Sequence, residues 1–178
     1  CAKLSDLPLS SRASFLKPSP TLAMTARAKA MKSSGLDVLS FAAGEPDFNT
    51  PDAICSAAIE ALNRGETKYT PSAGTPALRE EVVQKLEREN RIHATPDEIV
   101  VSCGAKHSII NALLAILDPG DEVILFAPYW MTYADQVRLA GGIPVVVEAG
   151  LDQGFVPGLS DIQAAITNRT KAVILNSP

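Results

Sequence analysis

Ser102-Cys103-Gly104-Ala105-Lys106-His107-Ser108 lies where a strand-like run gives way to a helical one. Gly104 lets the backbone turn tightly. The N–H groups of Ala105 and Lys106 would then be free donors at a helix N-terminus. Such a terminus carries roughly +0.5 charge and attracts anions. A phosphate held there gains charge-assisted hydrogen bonds of about 1.5–3 kcal/mol each. The same glycine also suits a plain strand-to-helix turn, and the segment alone leaves both readings open. It is not a Walker loop, because the second Gly and the Gly-Lys-Ser/Thr order are absent, and it is not a Gly-x-Gly-x-x-Gly loop.

Three further segments carry chemistry-bearing residues. Pro128-Tyr129-Trp130 follows the next strand-like run and holds the only tryptophan of the chain. A large flat ring at a strand's carboxyl end suits stacking on a planar heteroaromatic ligand, worth about 0.5–1.5 kcal/mol beyond burial. It equally suits a core anchor between helix and sheet. In Ala43-Gly44-Glu45-Pro46-Asp47-Phe48, Gly44 can bring an unhindered N–H to a carboxylate, and an ordinary turn is the other reading. Lys68-Tyr69-Thr70-Pro71-Ser72-Ala73-Gly74 is a loop with an aromatic hydroxyl. Glu45 and Asp47 read as solvated loop carboxylates. No Ser/His/Asp set is visible. His93 and His107 are too few and too ill-placed for a metal cage, and Cys1, Cys55 and Cys103 lack metal-ligand spacing. The cysteines read as reduced thiols of a cytosolic protein.

These segments need elements to hold them. A polar, Ser/Pro-rich arm over residues 1–20 leads to a helix over 21–34 that Gly35 stops. A short strand over 38–41 precedes the Gly44 loop. Thr50 is expected to cap a helix with Pro51 at its first position, ended by Gly65. Thr75-Pro76 opens another, to about residue 89. Strands are then expected over 98–102, 122–127, 143–148 and 172–176. They alternate with helices over 105–117, 131–140 and 160–166, the last begun by a Ser160/Gln163 capping box. Val123-Ile124-Leu125-Phe126 is continuously apolar, so both faces of its sheet should be covered, as in a parallel sheet between helices. The pattern is an open α/β fold, whose ligands sit beyond the carboxyl ends of the strands.

The composition agrees with a globular domain. The 178 residues carry 16 Lys+Arg against 20 Asp+Glu, a formal net charge of −4. An acidic balance without a basic run argues against a nucleic-acid partner. No apolar stretch nears the roughly 20 residues that a bilayer requires. The chain starts at Cys1 and stops at Asn176-Ser177-Pro178, directly after a strand-like run. It is read as a piece of something longer.

Taken in order and spacing, Ala43-Gly44-Glu45-Pro46-Asp47-Phe48, Lys68-Tyr69-Thr70-Pro71, Gly104-Ala105-Lys106, Asp118-Pro119-Gly120-Asp121-Glu122-Val123 and Pro128-Tyr129-Trp130 resemble the class I/II aminotransferases. These are pyridoxal-phosphate enzymes of fold type I. The match is to the bacterial-type aspartate/prephenate branch, and it runs from Ser11 to Pro178. The resemblance implies an arm and small-domain portion over 1–48, and the N-terminal part of a large coenzyme-binding domain over 49–178. It implies that Gly104, Ala105 and Lys106 form a phosphate cup and that Trp130 stacks on the pyridine ring. Tyr69 would reach the phosphate of a second subunit's coenzyme, making a homodimer with shared sites. Gly44, Trp130, Lys106 and Thr21 would face the substrate, with Lys106 and Thr21 near its distal acidic group. The implied reaction moves an amino group between aspartate or glutamate and a 2-oxo acid, with prephenate as a further acceptor, in the cytoplasm.

The family continues with an Asn-Pro-Thr-Gly motif, whereas Asn176 is followed by Ser177-Pro178. Asn176 is therefore not assigned that asparagine's role. The tethering lysine, the Asp at the pyridine nitrogen and the Arg for the α-carboxylate have no match here, so no catalytic residue is assigned. The 178 residues alone are expected to bind coenzyme weakly, to transaminate nothing and to fold poorly around an unpaired sheet edge. Rival readings are a C–S lyase on the same fold, an aminotransferase-like sensing domain of a regulator, and a nucleotide-binding α/β domain.

Overall fold

The computed structural model describes residues 8–16 and 18–177, so Cys1 lies outside the described residues. The chain divides into two units, residues 15–69 and residues 1–14 with 70–178.

The first unit is built by local signals. Helix α2 (Pro20–Ser33) follows the short turn α1 (Ser11–Ser14), which belongs to the other unit. Ser19 caps α2, its hydroxyl accepting from Leu22 N–H at 3.4 Å, and Pro20 opens the first turn. At the far end Leu36 N–H reaches Met31 O and Gly35 N–H reaches Lys32 O. That exit needs a positive φ, supplied by Gly35 at +82°. Helix α3 (Asp52–Asn63) ends in the same way at Gly65. It starts one residue later than expected: Pro51 holds the cap position, and no side chain, Thr50's included, caps it. The strand expected over 38–41 does not form. No strand lies beside it among the described residues, and Leu39 and Phe41 are exposed.

The second unit is a parallel sheet with helices. Thr75 caps α4 (Pro76–Lys85), its hydroxyl accepting from Leu78 N–H, and the helix widens into a π turn over Leu86–Asn90. Helix α5 (Ala105–Ile116), β1 (Glu122–Ala127), α6 (Thr132–Leu139), β2 (Ile143–Glu148), α7 (Leu159–Ala165) and β3 (Thr170–Ile174) follow. The strand order is β2-β1-β3, all parallel. Val123 and Leu125, on one face of β1, pack with Leu113 and Leu117 from the α5 region and with Ala134 and Val137 of α6. Ile124, on the other face, is buried too. Central β1 is thus covered on both sides, as its apolar run requires.

Three expectations are corrected here. The run over 98–102 is not a strand. Glu98 Oε2 accepts from Thr95 N–H at 2.8 Å and from Thr95 Oγ1 at 2.9 Å, winding Pro96–Glu98 into a 3-10 turn. Beyond it, Val101 N–H finds only the loop carbonyl of Ala73. The Ser160/Gln163 capping box is not made: α7 begins at Leu159 with Gly158 at its cap position. The last strand is Thr170–Ile174 rather than 172–176, because its pairing with β1 runs from Glu122↔Thr170 to Leu125↔Ile174.

At the N-terminal end of β1, buried Glu122 accepts from Thr167 Oγ1 at 2.5 Å and from the Arg169 guanidinium, through Nε at 3.0 Å and through Nη2. The Thr167 hydroxyl first, then Arg169, hold its carboxyl below the ordinary glutamate value. No helix among the described residues is long and apolar enough to cross a membrane.

Candidate functional site

Parallel strands bring their carboxyl ends to one edge, and β1 and β3 deliver 128–130 and 175–176 there. Helix α5 supplies the other part of the site. Gly104 takes φ +83° and ψ 168°, a conformation open essentially to glycine alone, and turns the chain into the helix. Its carbonyl accepts from His107 and Ser108 N–H, and Cys103 N–H donates to His107 Nδ1 at 3.1 Å. The Ala105 and Lys106 N–H groups have no acceptor among the described residues. No side chain caps this helix and its first turn holds no acid. Open N–H donors at a helix start, on a turn that also carries a lysine, are features that attract anions.

Lys106 also reaches the ring of Trp130, its Nζ standing 5.3 Å from the indole centroid, within cation–π range. Trp130 is 44% exposed, while the adjacent Tyr129 packs against the hydrophobic core. Within Pro128-Tyr129-Trp130 Tyr129 packs on the core, and Trp130 stays half-exposed. The unit thus gathers Gly104, Ala105, Lys106 and Trp130 into one cluster. Gly44, Thr21 and Tyr69 belong to the other unit. Gly44 lies exposed in its loop, and a Cβ there would meet nothing within 4 Å. Thr21 is half-buried in the first turn of α2, and Tyr69 is fully exposed.

Two polar residues support the cluster, one not singled out in the sequence and one, Asn176, left there without a role. Gln136 of α6, only 7% exposed, donates through Nε2 to Lys106 O at 2.6 Å. It cross-links the first turn of α5 to the helix that begins just after Trp130. Its sequence signal is a polar residue on an apolar helical face, beside Tyr133, Val137 and Ala140. Its Oε1 has no partner among the described residues. The second is Asn176, whose Oδ1 accepts from Trp130 N–H at 3.2 Å.

A helix start with open N–H donors and a half-exposed indole thus stand at the carboxyl edge of a parallel α/β sheet, where the ligands of such folds sit. Residues 36–178 match the family described as aminotransferase class I and II, and the chain belongs to that family. Enzymes of this family generally depend on pyridoxal 5′-phosphate. The probable aspartate/prephenate aminotransferase of Aquifex aeolicus is 54% identical over 170 residues, 96% of this chain and 43% of that protein. The aspartate aminotransferase of Geobacillus stearothermophilus is 52% identical over 171 residues, with the same two coverages. Among solved structures, aspartate aminotransferase from Thermus thermophilus with maleate superposes with a TM-score of 0.93 at 48% identity, over 97% of this chain and 45% of that one. The fold is thus the fold-type-I architecture over the part present. The chain spans less than half the length of the relatives it matches.

Proposed function

We propose that the whole protein is a pyridoxal-phosphate-dependent aminotransferase. It moves an amino group between aspartate or glutamate and a 2-oxo acid, with prephenate as a further acceptor. One observation carries the reading: open Ala105 and Lys106 donors, an ammonium and a half-exposed indole lie together in a chain about half identical to aspartate and aspartate/prephenate aminotransferases. This donor set fits the coenzyme. A phosphate needs N–H donors and positive charge without a competing acid, and a pyridine ring needs a flat apolar face.

In this reading the first turn of α5 holds the phosphate, with Gly104 keeping the approach clear of a side chain. Trp130 covers the ring and excludes water from it. The Gly44 N–H takes the substrate's α-carboxylate. Lys106 Nζ and Thr21 meet the distal carboxylate, an ammonium being a compact partner for that group; the Thermus relative's dicarboxylate, maleate, supports this choice. Tyr69 reaches the phosphate held by a second copy of the chain, so the working unit is a homodimer. The coenzyme, when bound, supplies the electron sink for charge developing at the substrate's α-carbon. No lysine of these 178 residues, Lys68 and Lys106 included, is assigned the proton-moving role. Residues 1–48 then form an arm and small-domain portion, and 49–178 part of the large domain. The exposed free thiols of Cys55 and Cys103 suit the cytoplasm.

Activity of the complete protein tests the class. Transfer from aspartate to a 2-oxo acid is expected, and elimination from cystathionine without transfer would favour the lyase instead. Lys106→Ser tests the substrate. It should raise KM for aspartate about 10- to 100-fold, the worth of one charge-assisted hydrogen bond, and leave an apolar amino acid nearly unaffected. Equal effects on both would remove the dicarboxylate assignment.

A further inference from the structure

We propose that Asn176 is a positioning residue that fixes the direction of the Trp130 Cα–Cβ bond and so the place from which its indole reaches the ring; the proposal rests on the reading of Trp130 as the ring-covering residue. Parallel pairing places Ile174 beside Leu125, so β3 ends at the edge where β1 hands over to 128–130. Asn176 stands two residues past that pair and Trp130 three past the end of β1. Their bond joins two strand ends 46 residues apart in sequence.

Both main-chain polar groups of Trp130 are engaged. Its N–H donates to Asn176 Oδ1 at 3.2 Å, and its carbonyl accepts from Tyr133 N–H at 3.0 Å, in the opening turn of α6. A rotation of the 128–130 backbone that re-aims the Trp130 Cα–Cβ bond must break one of the two. On the preceding residue, Tyr129 packs into the core and resists the same rotation. The indole itself is 44% exposed, so its own burial does not fix its direction. The held main chain fixes the Cα–Cβ bond that carries it, and Lys106 Nζ stands over the ring. Asn176 supplies the only member of this set that comes from β3, and it does so through an acceptor oxygen.

That last point makes the proposal testable by paired variants of the complete protein. Asn176→Ala removes the acceptor and Asn176→Asp keeps one. The readouts are dissociation constants for pyridoxal 5′-phosphate and for pyridoxal, which lacks the phosphate, and the circular dichroism induced in the bound chromophore. Thermal melting of each apoprotein reports whether it folds. A ring-face effect should weaken both probes by the same factor, about three- to tenfold for one lost hydrogen bond. It should change the induced dichroism, and Asn176→Asp, whose added charge opposes the phosphate, should restore pyridoxal affinity and the dichroism. Native-like binding and dichroism in Asn176→Ala would overturn the proposal, and so would failure of Asn176→Asp to restore pyridoxal affinity and the dichroism. Trp130→Ala separates this idea from its foundation. If Trp130→Ala weakens pyridoxal binding while Asn176→Ala does not, only the positioning role falls. If Trp130→Ala changes neither probe's affinity, the ring-covering reading falls and takes this proposal with it.

Discussion

Residues 70–177 bury a compact set of apolar side chains around β1, whereas the described residues of 15–69 bury none. In the former, Val123, Ile124 and Leu125 of β1 and Val137 of α6 have no accessible surface. In the latter, Phe41, Phe48 and Tyr69 are almost wholly exposed, and no described residue is buried. Yet each region has a helix start capped by a side chain, Ser19 for α2 and Thr75 for α4. Caps fix where a helix starts and stops, at about 1 kcal/mol each, while most helical stability comes from packing an apolar face. The sheet region has both contributions; the 15–69 region, taken by itself, has the caps.

The contrast is sharpest for truncations. Leu125→Ala should cost about 2–5 kcal/mol, because the neighbours of a central, fully buried side chain cannot close the cavity. Phe41→Ala, at 94% exposure, should stay within about 0.5 kcal/mol. Denaturant titration of the complete protein measures both. A comparable loss at Phe41 would mean that this ring is packed in the whole protein, and the contrast would belong to the isolated chain alone.

Glycines offer a second, smaller comparison, one in each region. Gly104→Ala meets nothing within 4 Å, so its cost is purely conformational, about 1–3 kcal/mol for a non-glycine at φ +83° and ψ 168°. The strain falls on the corner that aims the Ala105 and Lys106 donors, so affinity for pyridoxal 5′-phosphate should drop along with the melting temperature. Gly44→Ala also meets open space but carries no left-handed φ, and should leave stability unchanged. If it weakens substrate without touching the coenzyme, close approach to the Gly44 N–H is what matters there. If Gly104→Ala leaves coenzyme affinity intact, the donors at α5 are not the phosphate site.

The same division governs what could be read from the sequence. The bounds of β1 were legible because a buried parallel strand is a continuous apolar run, and those of β2 because its valine run favours extension although most of it stays accessible. The runs over 38–41 and 98–102 look alike on paper. A strand, however, exists only with a neighbour, and periodicity carries no information about neighbours. At 98–102 a local bond, Glu98 to Thr95, also outcompeted extension. Gly104 and Trp130 were visible because their residue types are rare and sit at strand ends. Asn176 was passed over because it lies too early for the family's own asparagine. Its partner, the main-chain N–H of Trp130, is set by the pairing of β3 with β1 rather than by spacing. Gln136 left a trace as a polar residue on an apolar helical face, although its target in α5 lies 30 residues away.

Charge gives the smallest effect and the last way to separate the regions. Glu122 is buried at the start of β1, and its carboxyl is held below the ordinary glutamate value by Thr167 and Arg169. The folded protein therefore resists protonating it more than the unfolded chain does. The stability this supplies is fully present above the unfolded glutamate value, about 4.3, and is lost as pH falls from there through the lower folded value. Glu122→Gln cannot gain or lose it. Native protein should be more stable than Glu122→Gln at neutral pH, and the gap should narrow as pH falls below the ordinary value. In the 15–69 region Glu66 pairs with Arg64 at 2.8 Å, but both side chains are more than half exposed, where ion pairs are worth little. Glu66→Gln should differ from the native protein by no more than about 0.5 kcal/mol at neutral pH. Denaturant midpoints for the three proteins across this window decide the matter. A gap for Glu122→Gln that does not change with pH would show that Thr167 and Arg169 hold the carboxylate no better in the fold than water does in the unfolded chain.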